Sequence, residues 1–312
     1  MNSMSEEAKK LLYNQLDSWE LARKNYENLS TVKSKEFDFG TFKIRVQFNP
    51  GRIQSSAAKV DAKSIQERKC FLCSANLPKE QEGVDFDSRY QILVNPFPIF
   101  PEHFTIPTYS HTDQLILDRY KDMLTLSQLL DRYSLFYNGP KCGASAPDHA
   151  HFQAGIKGFM PIEQDVENIE KREIVKDEDL TVYALNYYLR NSFLIRSENK
   201  GQSVRFFDKL YNALEIKEGE QEPMMNIIAW YDNGTFNTVV FPREQHRPLC
   251  FFAEGDDNIL ISPASVDLGG VFITPQEKDF EKIAAQDIEN ILKEVCISDA
   301  KFDSIIANLT SY

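Results

Sequence analysis

Residues 142–155 read CGASAPDHAHFQAG. Two of the chain's five histidines stand there one residue apart, with a glutamine two places further on. Along a β-strand, residues i, i+2 and i+4 leave the same face. The pattern therefore predicts a strand, DHAHFQ, that presents His149, His151 and Gln153 together and turns Ala150 and Phe152 into a core. Three polar side chains in a row are poor packing unless they serve a ligand, a metal or a reacting group. The turn before them, GPKCGAS, can offer backbone N–H groups and the Ser145 hydroxyl to a phosphate, with Gly139 and Gly143 permitting close approach.

Outward from this stretch the periodicity predicts an α+β fold. Residues 5–29 read as one amphipathic helix capped by Ser5, with Leu12, Leu16, Trp19 and Tyr26 on one face. Phe42, Ile44, Val46 and Phe48 alternate with Lys43, Arg45 and Gln47 as a half-buried strand that ends in the turn NPGR. YQILVN and HFTIP are two further strands. Thr112 caps a helix to about Tyr133, and SLFYNG returns to strand. This order predicts an antiparallel sheet with flanking helices, in a unit spanning residues 1–160. A second α+β unit, 161–312, opens with a charged connector, EQDVENIEKREIVKDEDL. A strand at 181–196, a helix at 203–214 and a hairpin turning at Asn233-Gly234 follow, then helices at 276–284 and 286–296. Both units share a strand–helix–strand order without a strong internal sequence repeat.

Bulk properties exclude several classes. At 312 residues, 42% hydrophobic and 26% charged, the chain can bury a large core. Its net charge of −12 argues against a nucleic-acid partner, which needs a basic surface, though local basic pockets are compatible with it. No apolar run is long enough to span a bilayer. The charged N-terminus and an odd number of cysteines, two of them as CxxC, predict the cytoplasm.

Four of the five histidines fall between positions 103 and 151, just after that CxxC. Cys70 and Cys73 have the spacing of a zinc knuckle; their partners would come from His103, His111 or His149. Two ordinary buried cysteines are the alternative reading. A neutral imidazole can also attack an α-phosphorus and hold a nucleotidyl group as a phosphoramidate, provided a neighbour orients its other nitrogen and donors meet the phosphoryl oxygens. From the spacing alone, an HxHxQ strand is equally readable as a metal site or as two satisfied histidines. FPREQHRP groups Arg243, His246 and Arg247 after a strand, as a phosphate clamp or a solvated basic turn. Arg52, in NPGR, is a similar case.

GPKCGASAPDHAHFQ resembles the signature of the histidine-triad (HIT)-like superfamily, in the branch with glutamine for the third histidine. That branch holds galactose-1-phosphate uridylyltransferase, diadenosine tetraphosphate phosphorylase and GDP-L-galactose phosphorylase. VNPFPIFPEHFTIPTYSHTDQL resembles the strands that precede the signature, CFLC the uridylyltransferase's zinc pair, and QFNPGRIQ its SPxR segment. The resemblance covers residues 42–155, in the first unit, and implies that the two units are related half-domains, the second a degenerate copy. It implies a nucleotidyltransferase that works through a covalent histidine intermediate, with His151 as nucleophile and Gln153 on the phosphoryl group. It places Ser145 and Gly143 against phosphate and Asn95 near the ribose, and strengthens Arg52 as a substrate contact. It also implies a structural zinc on Cys70, Cys73, His111 and His149, with His111 preferred to His103. Magnesium can travel with the nucleotide. The implied substrates are a nucleotide sugar or dinucleoside polyphosphate as donor, and a sugar 1-phosphate or phosphate as acceptor. A phosphorylase or hydrolase, and a non-catalytic zinc-stabilised nucleotide-binding protein, are the alternatives. The uridylyltransferase resemblance implies a homodimer, whereas two fused halves could work as one chain. HAH in place of HPH, and Tyr109 or Thr108 in place of a lysine, set this sequence apart from the pattern and leave base and sugar undetermined.

Overall fold

The computed structural model describes residues 3–53 and 61–310. Thirteen strands follow in chain order: β1 (Lys33–Asp38), β2 (Lys43–Phe48), β3 (Gly83–Phe86), β4 (Tyr90–Val94), β5 (His103–Pro107), β6 (Tyr133–Asn138), β7 (His151–Ile156), β8 (Arg172–Asp177), β9 (Leu180–Leu185), β10 (Ser192–Ser197), β11 (Met225–Asp232), β12 (Thr235–Pro242) and β13 (Val271–Thr274). Ten of them form one sheet in the order β3-β4-β5-β7-β6-β11-β12-β10-β9-β8. Every pairing in it is antiparallel.

The order is the same sequence of moves written twice. In the first half, β3, β4 and β5 run edge to centre, the helix Tyr120–Leu129 crosses, and β6 and β7 follow with β7 inserted beside β5. In the second half β8, β9 and β10 run inward, the helix Lys200–Ala213 crosses, and β12 inserts beside β10. The equivalent strands β6 and β11 meet at the centre, Asn226 opposite Asn138. The chain is thus an α+β protein of two related halves sharing a single sheet.

Alternation along these strands builds two cores. Tyr133, Leu135 and Tyr137 of β6, Phe152 and Ala154 of β7, and Ile227 and Ala229 of β11 pack on one face against the crossing helices and Phe302 and Ile306 of the C-terminal helix. Phe136, Ile228, Val239 and Phe241 face the other way. That second face is covered by a small sheet, β1-β2-β13, and by the helix Ala285–Val295. There β13, from the C-terminal half, runs parallel to β2, from the N-terminal half. His151 and Gln153 belong to this second face, opposite Phe152 in parity.

Several sequence expectations are corrected. The helix expected over 5–29 is two, Met4–Ser18 and Glu20–Asn28, because Trp19 takes an extended backbone with its ring buried. Its cap is Ser3, and Ser5 instead is buried and donates to Asp131. Thr112 caps no helix; a 3-10 turn, Leu117–Arg119, leads into Tyr120–Leu129, which ends where Leu130 leaves helical geometry. The strand expected over 181–196 is the pair β9 and β10, and the helix of 203–214 begins three residues earlier, with Asn199 accepting from Gly201 and Gln202 N–H. The charged connector holds a helix, Ile162–Asn168, and edge strand β8. β7 starts at His151, so His149 lies before it, in the loop. The Asn233-Gly234 hairpin forms as expected, with both residues at positive φ.

Candidate active site

The loop between β6 and β7 differs sharply between the halves: residues 139–150 here, against the two-residue turn Asn233-Gly234 in the second half. Gly143 has φ +94, and a Cβ there would lie 2.6 Å from Ala264 Cβ, so only glycine fits the turn under the C-terminal segment. Among the described residues, the N–H groups of Gly143, Ala144 and Ser145 and the Ser145 hydroxyl meet no protein acceptor. They line a cleft, open to solvent, with about 70 Å³ of room for water-sized molecules. Arg52, Gln153 and Asn138 share its walls, and the C-terminal half closes it with His246, Arg247, Ser262 and Asp267. Burial pushes the Asp267 carboxyl up to about 6, although it accepts from Ala264 and Ile273 N–H.

His151 lies beside this wall, 5% exposed, and is not among the residues that line the cleft. Its Nδ1 is 2.8 Å from the His149 carbonyl oxygen. Because a carbonyl only accepts, Nδ1 carries the hydrogen and the lone pair sits on Nε2. No protein group hydrogen-bonds to that Nε2 among the described residues. Its peptide is held by Gln114, whose Oε1 accepts from His151 N–H at 2.7 Å and whose Nε2 donates to His151 O at 3.0 Å. Gln114 thus mimics a neighbouring strand at the point where β7 begins.

Four donors converge behind the loop. Cys70 Sγ lies 3.3 Å from His149 Nδ1, Cys73 Sγ 3.6 Å from the same nitrogen and 3.2 Å from His111 Nδ1. All four ligand atoms lie within 4.8 Å of one another, so the cluster could hold a metal ion. His149 Nε2 faces the Thr108 carbonyl at 2.8 Å, which again places the hydrogen there and leaves Nδ1 to face the sulfurs. Burial works to raise the Cys70 thiol, but His149 and the N–H groups of Leu72 and Cys73 outweigh it and bring it down to about 6. Arg68 ties this cluster to the turn, pairing with Asp148 at 2.5 Å.

The other sequence candidates divide. Arg52 lines the cleft, donating to Phe97 O at 2.7 Å. Arg243 does not: it is 3% exposed, and its guanidinium donates to Val295 O, Asn226 Oδ1, Pro263 O, Gln245 O and His246 O. All five of its N–H groups are spent on bracing the loop, and its neighbours His246 and Arg247 take the cleft position. Asn95 is turned away from the cleft, onto Thr105, Gln153 and Phe97. His103 is no metal ligand; it is fully buried and faces Gln153. Sequence reasoning missed Gln114, which carries no motif signal, and Asp267, which only the packing of the two halves brings to the cleft; His246 and Arg247, grouped in FPREQHRP, do line it.

The strand-borne His-x-Gln and the sheet that carries it resemble those of the histidine-triad-like proteins, in the branch of uridylyltransferases and diadenosine tetraphosphate phosphorylases. Residues 11–156 match a family described as domain of unknown function (DUF4922), and residues 165–312 match "GDPGP1-like, C-terminal domain". Diadenosine 5',5'''-P1,P4-tetraphosphate phosphorylase 2 of Saccharomyces cerevisiae is 33% identical over 116 residues, 32% of this chain and 35% of that protein. The sequence match thus spans about a third of that relative's length. The yeast Ap4A phosphorylase Apa2 in complex with Ap4A has the same fold, with a TM-score of 0.62, 18% identity and coverage of 93% of this chain and 97% of that one. Its complex with AMP gives a TM-score of 0.61 at 17% identity, covering 93% and 96%. No helix among the described residues is long and apolar enough to cross a membrane.

Proposed function

We propose that this protein is a nucleotidyl-transferring phosphorylase that works through His151. The observation that carries the reading is the His151 ring itself: Nδ1–H donated to a backbone carbonyl, Nε2 left with its lone pair and no protein partner among the described residues. In the first step Nε2 attacks the α-phosphorus of a dinucleoside polyphosphate or nucleoside diphosphate sugar. A P–N bond forms, and the P–O bond to the rest of the donor breaks, the leaving phosphate taking the electron pair. In the second step an oxygen of inorganic phosphate attacks the same phosphorus, the P–N electrons return to Nε2, and a nucleoside diphosphate leaves. The turn at Gly143–Ser145 and Gln153 supply donors to the phosphoryl oxygens. Gln153 has no proton to exchange, which suits a leaving group and acceptor that are both phosphates. Arg52 and Arg247 give the cleft cationic walls in a chain of net charge −12, as an anionic donor requires. The 33% identity to a phosphorylase favours inorganic phosphate over a sugar 1-phosphate as acceptor.

Zinc suits the four-donor cluster. A tetrahedral ion at about 2.3 Å from sulfur and about 2.0 Å from nitrogen sets its ligands roughly 3.3–3.8 Å apart, close to the sulfur–nitrogen separations observed here. Cys70, Cys73, His111 and His149 would hold it, and it would anchor the loop without touching the reacting atoms.

The test is intact mass after incubation with diadenosine tetraphosphate, UDP-, GDP- or ADP-sugars, each without phosphate. The expected result is one nucleotidyl adduct, stable in alkali and labile in acid, discharged by inorganic phosphate and absent from His151→Ala. An adduct that persists in His151→Ala would refute the assignment.

A further inference from the structure

Gln153 can help a phosphoryl oxygen only if its amide presents N–H to the cleft, yet an amide side chain can be turned either way. Its surroundings choose between the two orientations. The Ile99 N–H donates to His103 Nδ1 at 3.2 Å. That nitrogen is therefore the acceptor, and in a neutral ring the hydrogen must sit on Nε2. His103 Nε2 lies 3.0 Å from Gln153 Oε1, so the glutamine has to offer its oxygen there. Asn95 repeats the logic: its Oδ1 accepts from Phe97 N–H at 2.9 Å, which commits its Nδ2 to Thr105 Oγ1 and, at 3.5 Å, to the same Gln153 oxygen. Flipping Gln153 would set its NH2 against two donors inside the protein.

The scaffold makes this arrangement rigid. His103 is fully buried on β5, with Phe100 edge-on at 5.1 Å and Phe136 at 5.9 Å between ring centroids. Thr105 lies opposite Gln153 across the β5–β7 ladder, and His103 opposite Gly155. A Cβ on Gly155 would come within 2.6 Å of the Phe100 ring, so this glycine is what lets Phe100 close over His103.

We propose that His103, assisted by Asn95, is a positioning residue that sets the polarity of the Gln153 amide, holding its oxygen toward the protein and its NH2 toward the cleft. The geometry stands alone; its consequence for rate rests on the nucleotidyl-transfer reading. It makes Gln153 a pure donor. A third histidine in that place would carry one exchangeable proton, whereas this glutamine offers two N–H bonds and no acceptor.

Two readouts test it. In the full-length protein labelled with 15N-histidine, the His103 ring, assigned by its loss in His103→Phe, should show the neutral Nε2–H tautomer. In single-turnover labelling with diadenosine tetraphosphate, Gln153→Ala should slow adduct formation by roughly 10²-fold, the cost of losing one oxyanion donor. His103→Phe keeps a ring in the aromatic pocket and should slow it by at least about tenfold, yet add little in the Gln153→Ala background, the non-additivity expected of residues acting through one contact. Asn95→Asp, nearly isosteric, should slow labelling in the same coupled way, and covers the case in which His103→Phe does not fold. An Nδ1–H tautomer, or equal slowing by these substitutions in both backgrounds, would overturn the positioning role in a wild type that labels normally. Failure of the transfer reading looks different: the wild type itself would take up no nucleotidyl group from any donor, and the role in that reaction would fall with it.

Discussion

Four histidines within fifty residues of one another stand in three different settings, and in each ring the partner of one nitrogen decides what the other can do. His149 spends Nε2 on Thr108 O and turns Nδ1 to the cysteines; His151 spends Nδ1 on His149 O, and its Nε2 meets no protein group among the described residues. The His149 carbonyl and ring thus join the cluster and the proposed nucleophile through one amino acid. Behind them lies a buried acid. Glu222, 3% exposed, accepts from Ile116 N–H through one oxygen and sets the other against the Tyr137 hydroxyl, which can give its single hydrogen to Gln114 O when the acid is protonated. Burial pushes its pKa from 4.5 up to about 7. The native state therefore keeps a proton that the unfolded chain gives up, and Glu222 costs stability as pH rises through that window. In Glu222→Gln the amide nitrogen can donate to Tyr137 while the oxygen keeps Ile116, as the protonated acid would. Urea unfolding should find the variant equal to wild type near pH 4.5 and more stable at pH 8 by on the order of 3 kcal/mol. Parallel curves would contradict the buried-proton account.

At the scale of elements, the β6–β7 loop separates the half that carries the proposed site from the half that has only a two-residue turn there. Two features shape it, and each can be removed. Gly143→Ala forces φ +94 on a residue with a Cβ and drives that carbon into Ala264; left-handed backbone alone costs about 1–2 kcal/mol. The variant should unfold at lower temperature and lose adduct formation out of proportion to that loss, because the strained turn carries the phosphate donors. Cys70→Ser/Cys73→Ser should purify without the stoichiometric zinc expected of the wild type and melt at lower temperature, by metal analysis and calorimetry. A folded wild type free of metal would overturn the zinc assignment. In the second half the same strand pair closes through Asn233-Gly234, and no loop is left to build such a site.

Across the whole molecule, the halves are related in topology but not separable. β6 pairs with β11, and β13 reaches back to lie along β2. A chain cut between residues 160 and 161 would expose two long central strand edges and strip β2 of one neighbour, the condition under which strands aggregate. Fragment 1–160 expressed alone should be insoluble or unfolded by circular dichroism, and co-expression with 161–312 should recover a folded complex. A monomeric, folded 1–160 would show that the boundary is one of folding and not only of topology. The cleft points the same way, since Gln153 and Ser145 come from one half and His246, Arg247 and Asp267 from the other.

Much of this was legible along the chain, because β-strand parity and short-range spacing are local properties. The alternation of Ala150 and Phe152 with His149, His151 and Gln153 predicted a strand with a polar face, of which His149 falls just before the strand; the CxxC spacing predicted a pair whose partners among His103, His111 and His149 only the family resemblance chose; and GPKCGAS predicted a donor turn. Local patterns do not say where a side chain's hydrogen bonds end, and there the expectations fail. Arg243 and Asn95 have residue types suited to substrate but are spent on interior carbonyls and amides, while His103, open to reading as a ligand, is a buried neighbour of Gln153. Phe97, Gln245 and His246 apart, those partners lie from 10 to 58 residues away in the sequence, and burial makes each donor and acceptor find one. Which groups remain for chemistry is therefore settled only when the two halves pack and every other buried polar atom has been assigned its bond.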